Sequence, residues 1–157
     1  MNGYVNGSDL LMKLGNGAIG HCTTHTVTYS TETADVAVKP AATVAASTAG
    51  LYKSKRIKGL SIQAKASGMK FYSESESGFK VALGKWRLGQ TVQCSFFERE
   101  NDQQPYLAGS FIISELTETN PANDDATYDV TLDLNGAPTT IDEEKLDLLA
   151  TASGNND

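Results

Sequence analysis

ATYDVTLDLNGAP, residues 126–138, reads as a β-strand closed by a turn. Tyr128, Val130, Leu132 and Leu134 alternate with Thr127, Asp129, Thr131 and Asp133. Successive side chains of a strand point to opposite faces, so this period of two makes one face core and the other acidic and polar. Asn135-Gly136 supplies the turn. The preceding stretch, YLAGSFIISELTETNP (residues 106–121), does not alternate in this way. Its apolar residues occupy both parities, Tyr106, Ile112 and Leu116 against Leu107, Phe111 and Ile113, which predicts a strand buried on both sides. In a small antiparallel domain, one of those sides is expected to be covered by another subunit.

Upstream, QTVQCSFFER (residues 90–99) is a further strand, with Val92, Cys94 and Phe96 on one face and Phe97 on the other. Near the N-terminus, Leu10–Leu14 leads into Gly15-Asn16-Gly17 and a Thr/Val/Tyr-rich run from Ala18 to Thr31, a hairpin pattern. From about 33 to 58 the composition turns to Ala, Thr, Ser and Val with no period, ending in the basic cluster Lys53, Lys55, Arg56 and Lys58. This predicts a long arm or loop, and loops of that length in compact domains are usually functional or disordered. Leu60, Ile62, Ala64 and Ala66 then alternate as a half-buried strand. Ser73 and Glu76 stand in capping-box relation, Phe79, Ala82, Leu83 and Trp86 follow at helical spacing, and Gly89 offers a left-handed stop. One helix over about 74–88 is expected, anchored by Phe79 and Trp86 because Gly78 and Gly84 weaken it by about 1 kcal/mol each.

The chain has 157 residues, long enough for one sizeable core, so a single domain over 1–141 with an acidic, loose tail over 142–157 is expected. No apolar run reaches membrane-spanning length and residues 1–9 lack the pattern of a signal peptide, so a cytosolic chain with no membrane partner is expected. Charge is split along the sequence. Residues 1–97 carry 11 Lys/Arg against 5 Asp/Glu, and residues 98–157 carry 2 against 14. A dominant basic surface, the footprint of a nucleic-acid binder, is absent. Such polarity suits a protein whose one face meets the opposite face of a copy, although solvation of loops accounts for charge as well.

Chemistry-bearing clusters are sparse. His21, Cys22 and His25 with Cys94 form the one group that could hold zinc, but on a strand Cys22 points away from the two histidines, so no metal site is expected. No base is placed beside a Ser or Cys nucleophile, and Gly15-x-Gly17 joins two strands rather than a strand to a helix, so neither catalysis nor a cofactor is expected.

The order of features resembles the tail tube (major tail) proteins of long-tailed bacteriophages and related prophage elements. SDLLMKLGNGAIGHCTTHTVTYSTET, the arm ending in YKSKRIKGLSIQAKASG, the helix at SESGFKVALGKW, and the strands YLAGSFIISELTETNP and ATYDVTLDLNGAP carry the likeness over about residues 8–141. The resemblance implies a mainly β, β-sandwich or barrel-like subunit with one flanking helix, six of which form a ring, with stacked rings forming a hollow tube for the genome. It implies copies of the chain as partners, then tape measure, baseplate or initiator and terminator proteins, with DNA as transient cargo and the virion tail, reached from the host cytoplasm, as location. Val36, Val38, Leu51, Tyr52, Lys53, Lys55, Arg56 and Lys58 become candidates for ring and subunit contacts, and Asp129 and Asp133 for a lumen wall that repels phosphate. The tube protein of a contractile or type VI secretion-like particle is the alternative, followed by a small-molecule-binding β-barrel.

Overall fold

The computed structural model describes residues 4–15, 17–36, 54–71, 78–99 and 103–142. A short 3-10 turn, Gly7–Asp9, leads into β1 (Leu10–Leu14), β2 (Gly17–Ala18), β3 (Cys22–Val36) and β4 (Ser54–Met69). Then follow α1 (Phe79–Leu88), β5 (Thr91–Glu98), β6 (Leu107–Thr119), β7 (Thr127–Leu134) and β8 (Thr140–Ile141). The strands form one sheet in the order β2-β1-β5-β6-β7-β4-β3, with β8 paired to β6 off that path. The mainly β, one-helix architecture expected from the sequence is the one observed. The described residues divide into two compact units, one up to Val27 and from Gln63 onward, the other within Thr28–Ile62.

Strand register explains the core of the larger unit. Met12 lies opposite Phe96 and Leu14 opposite Cys94. Val92 faces Phe111, and Phe96 faces Leu107. Ile113 meets Leu132 and Leu116 meets Val130, while Ala64 and Ala66 meet Leu132 and Val130. Directly opposed residues share a face, so the alternating apolar positions of five strands merge into one apolar surface. Most of these side chains are buried, Phe96, Phe111, Leu107 and Leu132 completely. The His25 ring on β3 comes within 5.8 Å of the Phe96 ring on β5 although three strands lie between theirs in the sheet. The sheet therefore curls over its own apolar face, as a sandwich-like fold requires.

Four expectations change. The run from Ala18 to Thr31 is two strands: β2 pairs with β1, the chain turns through Ile19–His21, where His21 adopts φ 54°, and β3 begins only at Cys22. His21 thus precedes the strand, and the alternation argument about His21, Cys22 and His25 does not apply to it. The flanks of the expected arm loop, 33–36 and 54–58, are strand. The helix starts at Phe79, with Gly78 as its N-cap and no side-chain cap hydrogen bond; Ser73 and Glu76, the expected capping box, lie outside the described residues. A Cβ at Gly78 would come within 2.9 Å of the Phe71 ring, which a larger residue there would have to displace.

The fourth change concerns β6. Leu107, Phe111 and Ile113 are buried, but Ile112 is 46% exposed. The register slips between Ile113 and Glu115. A bulge inserts one residue, so beyond it the even-numbered Leu116 shares the face held earlier by odd-numbered residues. The mixed parity expected to mean burial on two sides is, from Ile113 onward, this change of phase.

Candidate assembly surfaces

In the unit within Thr28–Ile62, β3 and β4 are neighbours, and two ion pairs join them: Lys58 to Glu32 at 3.5 Å and Lys55 to Asp35 at 3.4 Å. The pairing is that of an antiparallel hairpin. All four side chains are largely exposed, and each such pair contributes only about 0–1 kcal/mol. Part of the basic cluster is thus neutralised within the arm itself. Arg56 is exposed and Val36, the last residue of β3, is half-buried. Val38, Leu51, Tyr52 and Lys53 lie outside the described residues. The same unit also presents Tyr29, Ile57 and Leu60, the last 76% exposed despite its place in the alternation with buried Ile62. Their signal in the sequence was hidden, because an apolar residue in strand rhythm reads as core whether or not anything covers it.

Asp129 and Asp133 lie on the face of β7 opposite the core, as their parity demands. Ser67 Oγ donates to Asp129, and Gln63 Nε2 donates to Asp133 at 3.0 Å. Lys65, opposite Thr131, enters the row between them. The face is a striped polar surface rather than a purely acidic one. Ile112, opposite Asp133, adds an apolar side chain to it.

The third surface lies along α1. Ala82 is fully buried and the Phe79 ring lies 6.0 Å from that of Tyr128, but Leu83 and Trp86 remain 41% and 54% exposed. Trp86, expected as an anchor, instead lines an open groove of about 320 Å³ with Phe79 and Leu83 on one side and Ser114–Glu118 of β6 on the other. Lys70 fastens the start of the helix. Its ammonium lies 4.3 Å from the centroid of the Phe79 ring, donates to Asn120 Oδ1 at 2.8 Å, and pairs with Glu118. The hydrogen bond and charge of Lys70 hold the Glu118 carboxyl below its ordinary range.

A wider cleft of about 550 Å³ is bordered by Leu10–Met12, Ile19 and the start of β3 through His25. Burial lowers the His25 pKa and raises that of Cys22. Cys22 Sγ donates to the Thr24 carbonyl at 3.4 Å rather than to an imidazole. The His21 ring rests against Phe71, and Cys94 is buried with its thiol pushed up to about 12. Among the described residues, no group of three His, Cys, Asp or Glu side chains is placed to hold a metal ion. Nor is any helix among them long and apolar enough to cross a membrane.

No protein-family model and no curated protein matches the sequence. Solved structures do. The chain superposes on one from the tail of an empty gene transfer agent (GTA) particle with C6 symmetry at TM-score 0.68 and 19% identity, covering 87% of this chain and 98% of that one. For the SPP1 tail tube the values are 0.57 and 11%, with 92% and 84% covered. For the sheath/tube terminator of an extracellular contractile injection system they are 0.53 and 12%, with 85% and 94% covered. An antiparallel sheet with, among the described residues, a single helix, matched over 87% and 92% of the chain, is the fold this chain shares with the GTA tail chain and the SPP1 tail tube.

Proposed function

We propose that this chain is a structural, non-enzymatic subunit that assembles with its own copies into stacked hexameric rings, the tail tube of a phage or phage-like particle and a conduit for DNA. The observation that carries this reading is the correspondence with the chain of the C6-symmetric GTA tail, which covers 87% of this chain and 98% of that one. Val36, Val38, Leu51, Tyr52, Lys53, Lys55, Arg56 and Lys58 are assigned to ring and subunit contacts. In support, the unit within Thr28–Ile62, which contains the described part of the arm, exposes Tyr29, Ile57 and Leu60, and a head-to-tail contact between unlike surfaces propagates into a filament. Asp129 and Asp133 are assigned to the lumen, where carboxylates keep phosphate from binding. Other tail proteins, including tape measure, initiator and terminator, complete the set of partners, with the virion tail as location. Residues 1–141 are read as one domain bearing the arm, and 142–157 as its acidic tail.

Negative-stain microscopy of the concentrated protein, with tail initiator components added, is expected to show rings and tubes. A strictly monomeric, featureless sample under those conditions would falsify the reading. The likeness to a contractile injection system component keeps a second placement, inside a contractile sheath. Particles from the source showing a sheath around the tube would select it.

A further inference from the structure

Helix α1 carries Lys80, Lys85 and Arg87 and no carboxylate, and it leaves Leu83, Trp86 and Leu88 41, 54 and 64% exposed. This is a cationic apolar ridge beside an open groove. On the strand side of the groove the Glu118 carboxylate is already taken by Lys70. Residues 143–149, EEKLDLL, have the complementary chemistry: Glu143, Glu144 and Asp147 against one Lys145, together with Leu146, Leu148 and Leu149. These residues lie outside the described part of the chain. We propose that segment 143–149 of one copy docks along α1 of a neighbouring copy, its leucines in the groove beside Trp86 and its carboxylates toward Lys80, Lys85 and Arg87. The assignment rests on the proposed self-assembly.

Reach identifies the neighbour. The Asp142 N–H donates to the Tyr106 carbonyl at 2.8 Å, so the segment departs from the Tyr106 end of β6, whereas the groove lies at Ser114–Glu118. Tyr106 and Ser114 are eight positions apart, about 26 Å along a strand. Leu146, four residues past Asp142, reaches at most about 14 Å, Leu148 about 22 Å and Leu149 about 25 Å. Leu146 and Leu148 stop short of the groove of their own copy and only Leu149, at full extension, approaches its near edge, so the three leucines can lie in the groove together only on a neighbouring copy. Charge sets the orientation, because Glu115 on the strand side repels the carboxylates and the helix side attracts them.

Trp86 is the one tryptophan of the sequence, so its emission reports on the groove directly. A full-length variant with Leu146, Leu148 and Leu149 replaced by Ser is compared with the parent chain, both dilute and assembled. A peptide of residues 143–149, titrated to millimolar concentration into the dilute variant, matches the effective concentration of a tethered segment. The expected result is a saturable blue shift of Trp86, weakened at about 1 M salt, where the Debye length is about 3 Å, and lost in the variant further changed by Lys85→Glu and Arg87→Glu. Parent tubes are expected to emit to the blue of dilute parent protein, and the serine variant is expected to lose that shift or, while keeping its circular dichroism, to form no tubes. No shift with peptide overturns the proposal. Equal blue shifts in parent and variant tubes overturn it as well, since another surface of the second copy then covers the groove. A blue shift already present in dilute parent protein, absent from the dilute variant, means that the segment folds back within its own copy and overturns the neighbour assignment. A parent chain that binds the peptide yet never forms tubes leaves the docking pair standing and removes the tail tube reading.

Discussion

At Gly68 the core has little room for change. A Cβ there would come within 3.2 Å of both the His21 carbonyl oxygen and the Tyr128 ring, and Tyr128 is fully buried. Gly68→Ala is expected to cost about 1–3 kcal/mol by overpacking, read as a lower midpoint in denaturant unfolding. His25 gives a pH dependence of definite sign. Burial holds its imidazole below the ordinary value, so the unfolded chain takes up the proton at higher pH than the folded one. Its contribution to stability is full above the unfolded pKa of about 6.5 and declines as pH falls through the window below it. Unfolding curves from pH 7 to pH 5 are expected to show that decline, and His25→Gln to flatten it. At this scale the sequence was only partly legible. The alternation of Tyr128, Val130 and Leu132 named core residues correctly, because period two is a property of any strand. The placement of His21 failed, because a single positive φ in a turn ended one strand and began another.

Helix α1 offers two glycines with opposite expected effects. Gly84 lies inside the helix with nothing within 4 Å of where an added methyl group would sit, whereas Gly89 closes the helix at φ 64°. Gly84→Ala is expected to stabilise by up to about 1 kcal/mol and Gly89→Ala to destabilise by about 1–2 kcal/mol, with melting temperatures moving in opposite directions by roughly 2–8 °C. Lys70 joins the end of β4 to this helix through the Phe79 ring, and to β6 through Glu118. Lys70→Ala is expected to lower hydrogen-exchange protection of α1 while leaving β5 and β6 protected. The Glu118 carboxyl is depressed mainly by the Lys70 hydrogen bond, so the pair is intact above the ordinary carboxylate range and is lost as pH falls through the depressed value. The helix itself was legible from the spacing of Phe79, Ala82, Leu83 and Trp86 and from its glycine stop. Its start was not, because the helix begins at Phe79 behind Gly78, a cap with no side-chain hydrogen bond and packed close to the Phe71 ring, where local sequence favoured Ser73. For β6, residue parity could not distinguish a strand covered twice from a strand that changes phase at a bulge.

For the whole molecule, the split of charge along the sequence becomes a question about contacts between copies. Lys55 and Lys58 already pair with Asp35 and Glu32, so reversing Lys53, Lys55, Arg56 and Lys58 to Glu places like charges across the hairpin. Because exposed pairs contribute little to folding, the reversal is expected to shorten tubes in micrographs far more than it lowers the melting temperature. Tubes of unchanged length would exclude the cluster from the contact. The candidate surfaces were the least legible part of the chain. Nothing in the local sequence separates exposed Leu60 from buried Ile62, or shows Trp86 at the edge of a groove, since exposure depends on what a distant strand leaves uncovered. The register of the sheet also bears on synthesis. Leu10 pairs with Glu98 and Gln63 with Asp133, so the pairings of β1 with β5 and of β4 with β7 must wait for strands made much later. At roughly 5–20 residues per second the wait lasts several seconds. Of the long strands, β3 and β4 alone neighbour each other in both sequence and sheet before the helix is made, so this pair has both its strands on the nascent chain before β5, β6 and β7 exist.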